Sequence, residues 1–427
     1  MEERQHETRL VADADEFEDF LDGIEGEERL AIDTEANSMH AYRARLCLIQ
    51  CSTRHGDWVL DPLAPIDFDP FFAVLEDERV TKVFHDAEFD VLLLNGEHDV
   101  RLRGLFDTKV VATALGETQY GLASLVERRF CAKLDKSQQR SDWGKRPLDD
   151  AQIRYAADDT RYLLDLADEL EEQLDASDEL RRLEVRAEFR RLEDLVAKKE
   201  ARDPDDWARL KGAHLLEAKE RVILREFWRW REAVAEKRNQ PPFKILGNAQ
   251  LLAIARSRPS DVAALARIEG VGGRPLERYA STWLGILTAL RDHPGIAKPT
   301  EPQRSADQRR IDREDLEVLD RLKRWRKAVA DERRTDPSLV LHREVLERLS
   351  RVRPRPTRRE ELEALGGFEV WRLDAYAEGL LAVVAKGNDG TKPRAAPGAA
   401  SKSSKSSKKQ SAKKASAKRA PRAGRKG

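Results

Sequence analysis

A long passage of this chain occurs twice. Trp230-Arg231 returns as Trp325-Arg326, Ala233-Val234 as Ala328-Val329, Ile245-Leu246 as Val340-Leu341, Leu251 as Leu346 and Pro259 as Pro354, always 95 positions on. After a two-residue slip the match continues at 97, pairing Leu265 with Leu362, Ile268 with Leu365, Gly270 with Gly367 and Tyr279 with Tyr376. A period this long marks two copies of a domain, since solenoid units are far shorter. Each copy has helical spacing of apolar residues, Leu224, Phe227 and Trp228 before one Trp-Arg and Leu316, Leu319 and Leu322 before the other. Pro, Gly and Ser punctuate the short connections. Two all-α bundles are expected, over residues 209–291 and 310–387, joined by a Pro-rich polar linker at 292–309. Residues 211–290 hold fourteen basic and eight acidic residues, which favours the first copy as a nucleic-acid surface.

The region ahead of the repeat has a different grammar. Ala31-Ile32-Asp33, Arg45 to Cys51, Trp58-Val59-Leu60, Val80 to Phe84 and Leu102 to Phe106 read as five strands, with helices between the later ones. Three early strands and then alternating helices and strands fit an α/β domain over residues 1–170, with a charged helical linker at 171–208. Asp149 and Gln152 have the spacing of a capping box, so a helix starts there and carries Ile153, Tyr155, Asp159 and Leu163.

Three acidic clusters sit on this frame: Asp33-Thr34-Glu35, His85-Asp86-Ala87-Glu88-Phe89-Asp90, and Tyr155-Ala156-Ala157-Asp158-Asp159. Asp33 and Glu35 are two apart on a strand and leave the same face. Tyr155 and Asp159 are four apart and stack on one face of a helix, from which Asp158 is turned about 100°. Carboxylates gathered from separate elements repel one another and are tolerated mainly around a hard cation. Such a set, with a phosphate substrate, describes a two-metal phosphodiester hydrolase.

The three clusters resemble the exonuclease motifs of the DEDD superfamily, in its tyrosine-bearing branch. Arg45-Leu46-Cys47-Leu48-Ile49-Gln50, Phe106-Asp107-Thr108, Lys136-Ser137, Ser141-Asp142-Trp143 and Arg146-Pro147-Leu148 narrow the resemblance to ribonuclease D. Both copies of the repeat resemble the helicase-and-RNase-D C-terminal (HRDC) domain, and two of them after such a nuclease is that family's arrangement. The resemblance implies a mixed five-stranded, ribonuclease H-like sheet and metal-dependent 3′-5′ exoribonuclease activity that releases nucleoside 5′-monophosphates. Its substrate class is tRNA precursors and other structured RNAs, and its cofactors are two Mg²⁺ or Mn²⁺ ions. It also implies roles: Asp33 bridging the metals, Glu35 and Asp159 on the one that generates hydroxide, Asp90 on the other, and Tyr155 orienting the water. His40, Tyr42, Lys136, Arg140, Trp143 and Arg146 are expected substrate contacts, with loop packing as the competing role. Asp107 reads as a helix N-cap or a group near the site, and His85 as structural. A 3′-5′ DNA exonuclease and a non-catalytic nucleic-acid adaptor are the alternatives; the adaptor would need a broken acidic set.

Charge is unevenly shared. Residues 390–427 carry thirteen Lys or Arg and no acid, whereas the chain as a whole has a net charge of −1. A disordered basic tail over 388–427, attracted to phosphates, is expected. With 37% charged residues, no apolar run of membrane length, an opening Met1-Glu2-Glu3-Arg4 without a signal core, and three cysteines, a soluble cytoplasmic monomer is expected.

Overall fold

The computed structural model describes residues 7–197, 203, 205–297 and 306–385. The expected basic tail lies outside these residues. The chain opens with β1 (Thr8–Val11), α1 (Ala14–Ile24), β2 (Arg29–Ala36), β3 (Leu46–Ser52) and β4 (Asp57–Leu60). It continues through α2 (Asp69–Glu76), β5 (Thr81–Phe84), α3 (Glu88–His98), β6 (Leu105–Asp107), α4 (Thr108–Ala114) and α5 (Leu122–Phe130). Three helices close the region: α6 (Asp150–Arg161), α7 (Leu163–Asp175) and α8 (Glu179–Glu193).

The sheet has six strands in the order β1-β4-β3-β2-β5-β6, not the five expected. The extra strand is β1, an edge strand parallel to β4. Only Val11 of its four residues is buried, so no alternating pattern announces it. β2 lies near the middle, antiparallel to β3 and parallel to β5. Its apolar ramp is buried because both faces of the sheet are covered. Phe17, Phe20, Phe71 and Leu94 pack on Ile32, Ile49 and Cys51 of one face. On the other, Leu163, Leu166 and Leu170 cover Ala31 and Val83, while Trp143, Tyr155 and Ala156 cover Leu48 and Val59.

The repeat folds twice into the same five-helix unit. The first is α9 (Ala218–Lys237), α10 (Pro242–Ile245), α11 (Asn248–Ser257), α12 (Val262–Ala266) and α13 (Gly273–Ala289). The second is α14 (Ala306–Arg333), α15 (Pro337–Val340), α16 (Arg343–Arg351), α17 (Arg359–Ala364) and α18 (Val370–Ala385). The correspondence reaches single hydrogen bonds. Arg231 donates to the Leu246 carbonyl at 3.1 Å, and Arg326 to that of Leu341 at 2.8 Å. Trp230 packs edge-on against Tyr279 with ring centroids 5.0 Å apart, and Trp325 against Tyr376 at 5.9 Å.

The second copy is fastened to the back of the sheet domain through α8. Glu184 of α8 is buried and accepts from Arg333 and from the Tyr376 hydroxyl, each at 2.5 Å. Arg181 spans the joint, donating to the carbonyls of Ala114 and Arg333, both at 2.7 Å. Gly116 makes the close approach possible, because a Cβ there would lie 2.7 Å from the Arg334 carbonyl oxygen.

Burial pushes the Glu184 carboxyl above its ordinary value even against the Arg333 guanidinium. Replacing Arg333 by Met strands that carboxylate without its cation, a change that costs about 3–5 kcal/mol. Urea unfolding of Arg333→Met should occur at lower denaturant than the parent at neutral pH, with the gap narrowing in acid as Glu184 takes up a proton. Coincident unfolding curves would show that docking does not depend on this pair.

Candidate active site

The acidic residues come together where three elements of the sheet domain meet. Asp33 and Glu35 project from β2 on the face covered by α6, and the register of β2 against β3 shifts just after Glu35. A bulge of this kind re-aims the side chains beside it. α6 begins with the capping box expected of it: Asp149 accepts from the Gln152 backbone N–H at 2.9 Å, and the Gln152 side chain accepts from that of Asp149 at 3.1 Å. One turn apart on this helix, the Tyr155 hydroxyl bonds the Asp159 carboxylate. One carboxylate oxygen from each of Asp33, Glu35 and Asp159 lies within 4.8 Å of the others. The adjacent Asp158 faces elsewhere and is held by Arg161 at 2.6 Å.

Asp90 arrives from α3 and is buried. The Thr34 hydroxyl donates to it at 2.5 Å, so the middle residue of the first cluster orients the carboxylate of the second. Asp107 fixes the turn that delivers it. Its carboxylate caps α4 by accepting from the N–H groups of Lys109 and Val110, and also accepts from those of Asp86 and Ala87 at 3.1 and 2.8 Å. His85 meets the Thr108 hydroxyl at 2.9 Å within this turn.

The six residues expected to touch substrate divide. Trp143 is buried against Tyr155, with ring centroids 5.8 Å apart. Arg146 clamps Asp61 at 2.5 and 2.6 Å and donates to the carbonyls of Cys47 and Trp143. Both brace the loop that supports Tyr155; Trp143 is sealed, and the guanidinium of Arg146 is taken up by Asp61 and carbonyl oxygens. Lys136 and Arg140 are exposed. His40 and Tyr42, on the loop that leaves β2, meet the first helical copy. His40 contacts the Arg140 carbonyl at 3.0 Å and the Lys244 ammonium at 3.4 Å. The Tyr42 N–H donates to Asn239 at 3.2 Å and its hydroxyl to Glu232 at 3.3 Å. Lys244, with the half-exposed Phe243 beside it, thus meets the loop that leaves β2, which no local pattern in the sequence signals.

The electrostatics is that of an acidic cluster without a cation among the described residues. Burial, then Asp90, Asp159 and Glu35 in turn, hold Asp33 well above the usual carboxylate range. Burial and the charges of Asp159 and Asp90 push Glu35 up to about 8. Asp90 and Asp159 are each raised to about 7, chiefly by burial and against the hydrogen bonds of Thr34 and Tyr155. Among the described residues no basic side chain pairs with any of the four. Gln50 lies opposite Asp33 across the β2–β3 ladder, fully buried, with neither amide atom hydrogen-bonded. Hard oxygen donors, an unmet negative charge and an orphaned polar group beneath them fit a hydrated divalent cation.

These shifts set a pH dependence. Folded-state values above the ordinary 3.8 and 4.5 mean that the folded chain keeps protons which the unfolded chain releases. The stability contributed by the protonated cluster is full below about pH 4 and is lost as pH rises through about 7–8. In EDTA, Tm should fall between about pH 5 and 8.5, by more in the parent than in Asp33→Asn, and divalent cation should abolish the difference. Parallel Tm profiles for the two proteins would mean that the four acids ionise as ordinary surface groups.

A 3′-5′ exonuclease family model matches residues 8–175, and an HRDC domain model matches residues 220–287 and 315–384. A ribonuclease D of Gluconacetobacter diazotrophicus is 31% identical over 395 residues, covering 91% of this chain and 96% of that one. The exosome complex component 10 homolog of Caenorhabditis elegans is 32% identical over 262 residues; the match takes in 60% of this chain but only 30% of that larger protein. The crystal structure of Escherichia coli RNase D, an exoribonuclease involved in structured RNA processing, aligns with 88% of this chain and 98% of that one. Its TM-score of 0.58 at 24% identity shows a shared fold. No helix among the described residues is long and apolar enough to cross a membrane. The near full-length relative and the two domain models together place this chain in the ribonuclease D family, as a 3′-5′ exoribonuclease carrying two HRDC domains.

Proposed function

We propose that this exoribonuclease trims the 3′ ends of structured RNAs, tRNA precursors among them, one nucleotide at a time, using two Mg²⁺ or Mn²⁺ ions. The observation that carries the reading is the meeting of Asp33, Glu35 and Asp159 oxygens within 4.8 Å, with Asp90 and Tyr155 at their side. The exonuclease family depends on divalent metal, and this donor set suits it. Asp33, Glu35 and Asp159 would hold one ion, and Asp33 with Asp90 the other. Bound there, the ions supply a water nucleophile active at neutral pH and offset the charge on the departing oxygen.

The protein's own groups do the positioning. Tyr155 sits against Asp159, and burial pushes its hydroxyl further from ionisation, so it orients a water by hydrogen bonding and takes no proton from it. The water oxygen bonds to the terminal phosphorus as the bond to the preceding 3′ oxygen breaks. That oxygen takes a proton, and a nucleoside 5′-monophosphate leaves. Trp143 and Arg146 keep Tyr155 in place from behind. At the rim, His40, Tyr42, Lys136 and Arg140 of the catalytic domain, with Lys244 and Phe243 of the first HRDC domain, receive the strand. Cationic and aromatic side chains of this kind accept a single strand regardless of sequence.

With 5′-labelled RNA bearing a 3′ trailer, Mg²⁺ or Mn²⁺ should support stepwise shortening, and EDTA should stop it. Asp33→Asn should lower kcat at least about 1,000-fold, and Tyr155→Phe about 100-fold. DNA of the same length should be shortened more slowly. Unchanged shortening by Asp33→Asn would refute the site, and faster digestion of DNA would overturn the RNA assignment.

A further inference from the structure

The two HRDC domains present one surface feature twice and employ it differently. In the second, Arg333 donates to the Tyr376 hydroxyl, and both then donate to the buried Glu184 carboxylate. The repeat brings Arg238 and Tyr279 to the corresponding places in the first domain, 95 and 97 positions earlier. There Arg238 donates to the Tyr279 hydroxyl at 2.7 Å. The chain then leaves the helix through a left-handed residue in both copies, Asn239 with φ 44° and Arg334 with φ 51°. The Arg-Tyr pair and the backbone that carries it are therefore the same structure.

What lies on the pair is not the same. In the second domain a carboxylate of the catalytic domain fills it. In the first, Arg238 is exposed, and no carboxylate pairs with it among the described residues. The Tyr279 hydroxyl accepts from Arg238, which leaves its own proton to donate, as Tyr376 donates to Glu184. Arg238 has further N–H donors in a planar fork, suited to two oxygens of one anion.

The location selects the anion. Asn239, next in the chain, accepts from the Tyr42 N–H on the loop that leaves the acid-bearing strand. Glu236, two residues earlier, faces Arg43 of that loop at 3.6 Å. The pair stands beside the loop that leaves the acid-bearing strand, and an RNA chain running out along that loop would meet it. We infer that Arg238 and Tyr279 form a binding site for a backbone phosphate of the substrate RNA, upstream of the scissile bond. The Glu184 carboxylate on Arg333 and Tyr376 is the template for how a phosphate would sit on Arg238 and Tyr279. The site rests on the reading of this chain as an RNA-trimming enzyme.

The test is binding of a 5′-labelled single-stranded RNA to the full chain in EDTA, followed by anisotropy between about 50 and 200 mM salt. Arg238→Gln should weaken binding about threefold to tenfold and lower the slope of log affinity against log salt by about 0.7, the share of one phosphate on a single strand. Tyr279→Phe should weaken binding about threefold with the slope retained, since no charge is lost. Arg333→Gln, whose counterpart pair is already filled by Glu184, should keep the parent slope. Parent affinity and slope in Arg238→Gln would overturn the site. An Arg238-dependent slope in a chain that fails to shorten RNA with Mg²⁺ would uphold the phosphate site and sink the nuclease reading. Shortening with no effect of Arg238 would do the reverse.

Discussion

Repulsion among crowded, partly buried carboxylates is the constraint around which the catalytic domain is organised. Asp33, Glu35 and Asp159 crowd together with Asp90 close by, in surroundings that screen charge poorly. Among the described residues no lysine or arginine relieves this. The fold holds each acid from behind: Thr34 on Asp90, Tyr155 on Asp159, and a capped helix and a bulged strand beneath the set. A site braced in this way cannot spread to lower its own energy, and the force that would push the carboxylates apart becomes affinity for a cation.

How far this was legible in the sequence depends on how local each cause is. The two-residue spacing of Asp33 and Glu35, the four-residue spacing of Tyr155 and Asp159, and the Asp149–Gln152 cap are local, and the structure has each in the expected form. Asp107 had two readings, and both describe it, since one carboxylate caps α4 and ties down the turn before Asp90. The edge strand β1 escaped notice because four residues with one buried side chain carry no periodicity. Glu184 was equally hidden. In a run as charged as α8 an acid reads as solvent-facing, and its burial comes from Arg333 and Tyr376, far along the chain.

The rim of the site shows the same limit. Trp143 and Arg146 have the composition of a ligand-binding loop, yet one is sealed under Tyr155 and the other is saturated by Asp61 and carbonyl oxygens. Lys244, which meets His40 on the loop after β2, belongs to a domain some two hundred positions away. The packing of the first HRDC domain against the loop after β2 joins residues too far apart in the chain for any local pattern to connect.

One short helix links two distant parts of this architecture. α4 is seven residues long; Asp107 caps its first turn and also grips the backbone that delivers Asp90, while its last carbonyl, that of Ala114, accepts from Arg181 in the joint with the second HRDC domain. A tilt at the joint would therefore act through α4 on Asp107, and through Asp107 on the turn that delivers Asp90. The second HRDC domain is, in mechanical terms, part of the mounting of the turn that delivers Asp90.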